Sequence, residues 1–257
     1  MKLSTDIQGQ GDPLAILHGL FGSGRNWATA ARHLAARWRT LALDLRNHGS
    51  SPWADGMGYG PMAADVWETL EGEGAASAPV ILGHSMGGKT AMAAALMRPD
   101  DVRALIVVDI APVAYGHSNA EYIEAMRAVD LGTVSRRADA DAALAAAVPE
   151  AGLRGFLLQN LAFEDGAARW RINLDAIEAG MDSLMAFPHA QGAARYDGPA
   201  LFVGGSRSDY LRPEHEGAIK AFFPAARIEV IEGAGHWVHA EAPAAFMAAV
   251  EGFLAEI

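Results

Sequence analysis

A serine hydroxyl between glycines, followed far along the chain by aspartates and a histidine, is a set of groups able to attack a carbonyl. Here the serine is Ser85, in Gly83-His84-Ser85-Met86-Gly87-Gly88-Lys89-Thr90. The apolar run Val80 to Leu82 precedes it, and an alanine-rich helical stretch to Met97 follows. The string satisfies two patterns at once. Gly83-x-Ser85-x-Gly87 is a nucleophile elbow, a sharp strand-to-helix turn that presents a serine hydroxyl above a sheet. Gly83-x-x-x-x-Gly88-Lys89-Thr90 is a phosphate-binding loop, in which backbone amides and Lys89 hold phosphates and Thr90 binds magnesium. Leu105 to Val108, ending at Asp109, also resembles the second acidic strand that a nucleotide-binding loop uses.

The distant residues separate these readings. A serine hydroxyl is a weak nucleophile until a base accepts its proton, and a histidine base needs an acid to fix its tautomer and stabilise its charge. Ser85 is followed by Asp109 and Asp209, and then by His236 in Gly233-Ala234-Gly235-His236. That is the order of nucleophile, acid and histidine in the α/β-hydrolase fold. Either aspartate fits it. The turn His18-Gly19-Leu20-Phe21-Gly22 follows an earlier apolar run, where a second oxyanion donor belongs; the expected donors are the N–H groups of Leu20 and Met86. A phosphate loop accounts for neither the His18 turn nor the His236 turn, so the elbow is preferred. His236-x-x-His239 has metal-ligand spacing, but zinc takes three or four protein ligands and no third is evident, so no metal is expected.

These residues need a scaffold, and the hydrophobic pattern supplies one. Buried strands are expected at 13–17, 40–44, 80–82, 102–109, 199–205 and 227–231, with helical spacings between them and from Ala242 to Leu254. Strand and helix alternating in this way predict an α/β fold, a mostly parallel sheet covered on both faces. From 113 to 196 the alternation stops and only helical patterns are found. The expected organisation is therefore one α/β core, 1–112 and 197–257, carrying a helical cap at 113–196. Its apolar positions Phe156, Leu157, Leu161, Phe163, Trp170, Ile177, Met181, Leu184, Met185 and Phe187 fit an amphipathic lid. Phe21, Phe156 and Trp237 are the expected substrate-contacting side chains.

Bulk properties remove other classes. Of 257 residues 51% are hydrophobic, and 31 acidic against 20 basic residues give a formal charge of −11. Phosphate contacts need clustered Lys and Arg, so nucleic acid and anionic membranes are not expected partners. The first residues lack the apolar core of a signal peptide, and no segment reaches the roughly 20 apolar residues of a membrane span, which predicts a cytoplasmic protein. The sequence has no cysteine, which removes disulfides, thiolate catalysis and cysteine-ligated metal.

The segments HGLFGSGRNW (18–27), LDLRNHGSSP (43–52), GHSMGGKTAM (83–92), VVDIAPVAY (107–115), RWRINLDAI (169–177) and GAGHWVHAEAP (233–243) make the chain similar to the α/β-hydrolases, and more narrowly to the YbfF-type esterases and their mitochondrial hydrolase relatives. The resemblance spans nearly the whole chain. It implies an α/β-hydrolase fold with an inserted helical cap. The activity implied is serine-dependent hydrolysis of small carboxylic esters or thioesters without a cofactor. It further implies that the acid behind His236 is Asp109, in the motif Asp109-Ile110-Ala111-Pro112, whereas most members of the fold carry it one strand later, which would select Asp209. His18 becomes a structural hydrogen-bonder, and Asp44, Arg46 and His48 tie the loop after their strand to the elbow. Lys89 and Thr90 become ordinary residues of the helix after the elbow. Perhydrolysis, lactone opening and carbon–carbon bond hydrolysis use similar residues. A non-catalytic ligand binder and a nucleotide binder are the readings from other classes.

Overall fold

The computed structural model describes residues 1–116, 118–187 and 195–257. His117 and residues 188–194 of the expected cap lie outside them. Seven strands form the main sheet: β1 (Thr5–Gln8), β2 (Pro13–Leu17), β3 (Arg39–Leu43), β4 (Val80–His84), β5 (Ala104–Val108), and, after a small hairpin of β6 (Leu161–Glu164) and β7 (Ala167–Trp170), β8 (Ala200–Gly205) and β9 (Ala226–Ile231). Their spatial order is β1-β3-β2-β4-β5-β8-β9. β1 pairs antiparallel with β3 (Thr5 opposite Leu43), and every other pairing in this sheet is parallel.

The central strands are apolar throughout because both faces are covered. Side chains alternate across a strand, so each contributes to two cores. Leu17, Leu43, Ile81, Val107 and Phe202 face a core shared with α2 (Tyr59–Gly72), α3 (Met86–Met97) and α9 (Glu216–Phe222). Leu14, Ile16, Leu82, Ile106 and Val203 face the opposite core, closed by α1 (Ala28–Leu34) and α11 (Pro243–Leu254), with the short α10 (Val238–Glu241) leading into the latter.

Between β5 and β8 the chain leaves the sheet and forms α4 (Ala120–Arg127), α5 (Arg137–Leu144), α6 (Ala151–Leu157), α7 (Leu174–Ala179) and α8 (Met181–Met185), together with the β6–β7 hairpin. This excursion is not all helix, contrary to the sequence expectation. Asp165 and Gly166 both have positive φ (49° and 81°), the backbone of a tight two-residue hairpin turn. Ile123, Met126, Leu157, Ile177 and Leu184 of the excursion join the same core as α2 and α3. Polar ties reinforce that junction. Asn160 Nδ2 donates to Phe21 O at 2.8 Å, Asn173 N to Asn47 O at 2.9 Å, and the Tyr59 hydroxyl to Leu184 O at 2.7 Å. No helix among the described residues is long and apolar enough to cross a membrane.

Because β2, β4, β5, β8 and β9 run parallel, their C-terminal ends share one edge of the sheet. His18, Ser85, Asp109 and the loop after Gly205 follow these ends directly, and His236 lies five residues beyond β9.

Candidate active site

Ser85 sits between β4 and α3 with φ 53° and ψ −118°, a conformation an L-residue adopts only under constraint. Packing supplies the constraint. A Cβ on Gly83 would lie 2.1 Å from Gly87 O, and one on Gly87 would lie 2.4 Å from Leu17 O. Only glycine lets the turn close on itself and approach the end of β2. The Ser85 backbone is held by its N–H to Val108 O and by Lys89 N–H to its own carbonyl, both at 3.0 Å. Its hydroxyl carries none of these bonds.

Met86 is the first residue of α3. An N–H at that position has no acceptor inside the helix, and the helix dipole places partial positive charge there. On the facing turn, Gly22 N–H bonds Gly19 O at 3.0 Å, and Phe21 (φ 61°) gives its N–H to His48 Nε2 at 3.3 Å. Leu20 lies inside that turn, with no acceptor for its N–H among the hydrogen bonds of the described residues. Leu20, Met86 and Ser85 all line one pocket.

His236 Nδ1 lies 2.7 Å from Asp109 Oδ2. Asp109 is fully buried and, like Ser85, has positive φ (51°). A buried carboxylate is costly unless its lone pairs are used. Gly205 N–H donates to Oδ1 at 3.1 Å, and the Ser208 hydroxyl donates to Oδ2. With Nδ1 engaged, Nε2 is the ring nitrogen left for the cleft, which Ser85 also lines. Tyr210 stacks on the His236 ring, 4.1 Å between centroids. Asp209, the other candidate acid, is 84% exposed and pairs with Arg212 at 2.6 Å. The structure brings Asp109 to His236 and leaves Asp209 at the surface.

Several contributors were not visible in the sequence. Ser208 is the neighbour of the residue that attracted notice. His84 occupies a variable position of the elbow, yet its Nε2 lies 2.9 Å from His236 O. A carbonyl only accepts, so Nε2 carries the proton and His84 pins the backbone of His236 from beneath. His239 stacks on Trp27, centroids 4.1 Å apart. Asp44 and His48 hold the turn that follows β2 instead of the one at Ser85. Asp44 accepts from Gly24 N–H and Ser50 N–H, both at 2.7 Å. Arg46 pairs with buried Asp65 at 2.6 Å on α2. Phe21, Phe156 and Trp237 all line the cleft.

Lys89 and Thr90 are buried. Thr90 donates back to Met86 O at 2.9 Å. Lys89 Nζ donates to Met185 O at 2.9 Å and Ala186 O at 2.6 Å, and lies 4.8 Å from the Tyr115 ring centroid. Burial pulls its ammonium down to about 7, while the carbonyl dipoles favour keeping the proton. Neither residue is available to a phosphate.

Two buried histidines support the 18–22 turn in neutral form. His18 Nδ1 donates to Gly19 O at 2.8 Å, and its Nε2 accepts from Leu45 N–H at 2.9 Å. His48 Nδ1 donates to Arg46 O at 2.9 Å, and its Nε2 accepts from Phe21 N–H. Each ring has one donor and one acceptor in use, so a second proton would displace a backbone N–H. Burial lowers His18 from 6.5 to about 4 and His48 to about 3. The unfolded chain then binds more protons than the folded one below 6.5. This contribution to stability is complete above that value and is lost as pH falls toward 4. The unfolding free energy from urea titration, and with it the midpoint, is therefore expected to drop between pH 7 and pH 5, by about 3–4 kcal/mol for the two groups together given about 1.4 kcal/mol per unit per group. A flat or rising midpoint over that interval would contradict this account.

A family model described as the alpha/beta hydrolase fold matches residues 12–243. The chain belongs to the α/β-hydrolase fold family. This hydrolase is 43% identical over 250 residues to the sn-1-specific diacylglycerol lipase ABHD11 of Mus musculus, covering 94% of this chain and 80% of that protein. It is 38% identical over 251 residues to esterase YbfF of Escherichia coli (strain K12), covering 96% and 94%. A solved structure titled marine microorganism esterase matches with a TM-score of 0.94 at 38% identity, over 98% of this hydrolase and 99% of that chain. The resemblance carried by the sequence motifs is thus that of the family.

Proposed function

We propose that this hydrolase is a serine esterase, cleaving small carboxylic esters or thioesters through an acyl-enzyme. Ser85 Oγ attacks the carbonyl carbon while His236 Nε2 takes its proton. Asp109 holds Nδ1–H, which fixes the tautomer and stabilises the imidazolium that forms. The Leu20 and Met86 amides receive the oxyanion at the positive end of α3. His236 returns the proton to the leaving oxygen or sulfur, and water then releases the acyl group by the same steps in reverse. No cofactor takes part. The excursion after β5 serves as a cap over this centre, with Phe156 reaching the cleft from α6.

The observation that carries this reading is the 2.7 Å contact of His236 Nδ1 with fully buried Asp109, in a cleft that His236 and Ser85 both line. A lone acid or a lone histidine has structural explanations; this pairing behind a constrained serine has the geometry of an activated nucleophile. The esterases and lipase named above support the same reading by likeness. A fluorophosphonate probe incubated with the folded protein is expected to add one adduct, and peptide mapping to locate it on Ser85. Folded protein that stays unlabelled at high probe concentration would overturn the proposal.

A further inference from the structure

Two hollows meet at Ser85, and they differ in size and in what they contain. One is a cleft of about 840 Å³, walled by the edge-to-face pairs Phe21–Tyr122 and Phe156–Trp237 (ring centroids 6.4 and 5.9 Å apart) and lined also by His236. The other is a narrow pocket of about 30 Å³, lined by Met86, Ile110, Tyr115, Leu184 and Met185. Leu20, Ser85, Asn119 and Tyr210 line both, whereas His236 lines the cleft and not the pocket. The hollows therefore join at Ser85, between the Leu20 turn and Tyr210, with the His236 ring on the cleft side of the junction.

Proton transfer decides which half of an ester goes where. As the tetrahedral intermediate collapses, the bond from the carbonyl carbon to the leaving oxygen breaks. That oxygen takes the proton held on His236 Nε2, so the leaving group must lie on the side where His236 stands. The carbonyl oxygen is committed to the Leu20 and Met86 amides. The acyl chain is left with the other hollow. We propose that the narrow pocket receives the acyl chain and the cleft the alcohol, so that the substrate is an ester of a short acyl group with a bulky apolar alcohol. This rests on the acyl-enzyme reading above.

The pocket has a fixed floor. Lys89 Nζ and the Tyr59 hydroxyl, both on the sheet side, donate to the carbonyls of Met185, Ala186 and Leu184 at the end of α8. Moving α8 outward would strip a buried ammonium of its acceptors, which is far costlier than a rotamer change. A water-sized group needs roughly 10–15 Å³ in this measure, so the space admits about two to three carbons beyond the carbonyl. Acetyl to butyryl groups fit; octanoyl does not. Lys89 is a positioning residue for that floor, and Met185 is the side chain that meets the end of the acyl chain.

The test is a pair of ester series with purified protein. With 1-naphthol as the fixed alcohol, kcat/KM is expected to be highest from acetate to butyrate and to fall at least about 30-fold by octanoate. With acetyl fixed, it is expected to rise about tenfold or more from the ethyl to the 2-naphthylethyl ester, as the aromatic walls are filled. Met185→Ala keeps the carbonyl that Lys89 needs and enlarges the pocket; it is expected to raise the octanoate-to-acetate ratio by about tenfold or more. Octanoate cleaved as well as acetate by wild type, or an unchanged ratio in a folded Met185→Ala, would overturn the assignment. Fluorophosphonate labelling of the same samples separates the two levels. Ser85 labelled alongside a long-acyl preference sinks only the acyl site, as does a labelled enzyme inactive on every short-acyl ester. Absence of both labelling and turnover sinks the serine esterase itself.

Discussion

Replacing Ser85 with alanine is expected to lower kcat by about 10⁴- to 10⁶-fold while leaving KM within a few-fold, because the hydroxyl contributes bonding only once attack begins. The fold should be unaffected. Ser85 is anchored through its backbone, to Val108 O and from Lys89 N–H, both 3.0 Å, and alanine keeps both bonds. The strained φ of 53° exists already with a Cβ present, so Ser85→Ala introduces no new collision. The stability change should lie within about 1 kcal/mol, as for substitutions that neither open a cavity nor orphan a polar group. The Leu20 and Met86 amides proposed to receive the oxyanion survive, and a residual rate above the uncatalysed one should survive with them. Steady-state hydrolysis of a short-acyl naphthyl ester, with a urea titration of the same sample, measures both quantities. A folded variant retaining more than about 1% of wild-type kcat would mean that water, not Ser85, attacks.

The constrained turn at Ser85 and the fold were legible because both leave short-range marks. Parallel strands buried on both faces must be apolar runs, and a constrained elbow must have glycine where a Cβ would meet backbone, as at Gly83 and Gly87. His236 was legible by its place after the last strand. Which aspartate stands beside His236 was not, because chain order admitted two and only the folded loops decide which one points inward. Asp109 and the loop holding Asp209 leave adjacent strands, β5 and β8, and a single loop conformation turns Ser208 inward while Asp209 faces solvent. The β6–β7 hairpin was missed for a different reason. Asp165-Gly166 is a strong hairpin signal, but Leu157 and Leu161 before it and Ile177, Met181 and Leu184 after it fit helical spacing, and the flanking pattern prevailed. His84 and Tyr210 left no mark at all. Their roles depend on neighbours more than a hundred and about twenty-five residues away respectively, brought together only by the sheet.

Changing Asp109 to asparagine is expected to cost about 10⁴-fold in kcat, and the hydrogen bonds around it explain why the loss should be so large. Its two oxygens accept from Gly205 N–H, the Ser208 hydroxyl and His236 Nδ1–H, and supply no donor. An asparagine must place an NH₂ at one of these positions. Toward Gly205 it would set donor against donor in a fully buried site. Toward His236 it would donate to Nδ1 and drive the ring proton to Nε2, the nitrogen that must accept from Ser85. Ser208 can rotate to accept from the new amide, so the second orientation is the one the site can accommodate, and it holds the base in the wrong tautomer. Asp209→Asn removes only an exposed partner of Arg212 and should change kcat less than twofold and stability by less than about 0.5 kcal/mol. Measured side by side, the two variants separate the candidate acids by about four orders of magnitude. If Asp209→Asn were the crippled enzyme and Asp109→Asn the active one, the loop after β8 would have to reorganise on substrate binding. Asp109 would then be a structural carboxylate that anchors that loop through Gly205 and Ser208.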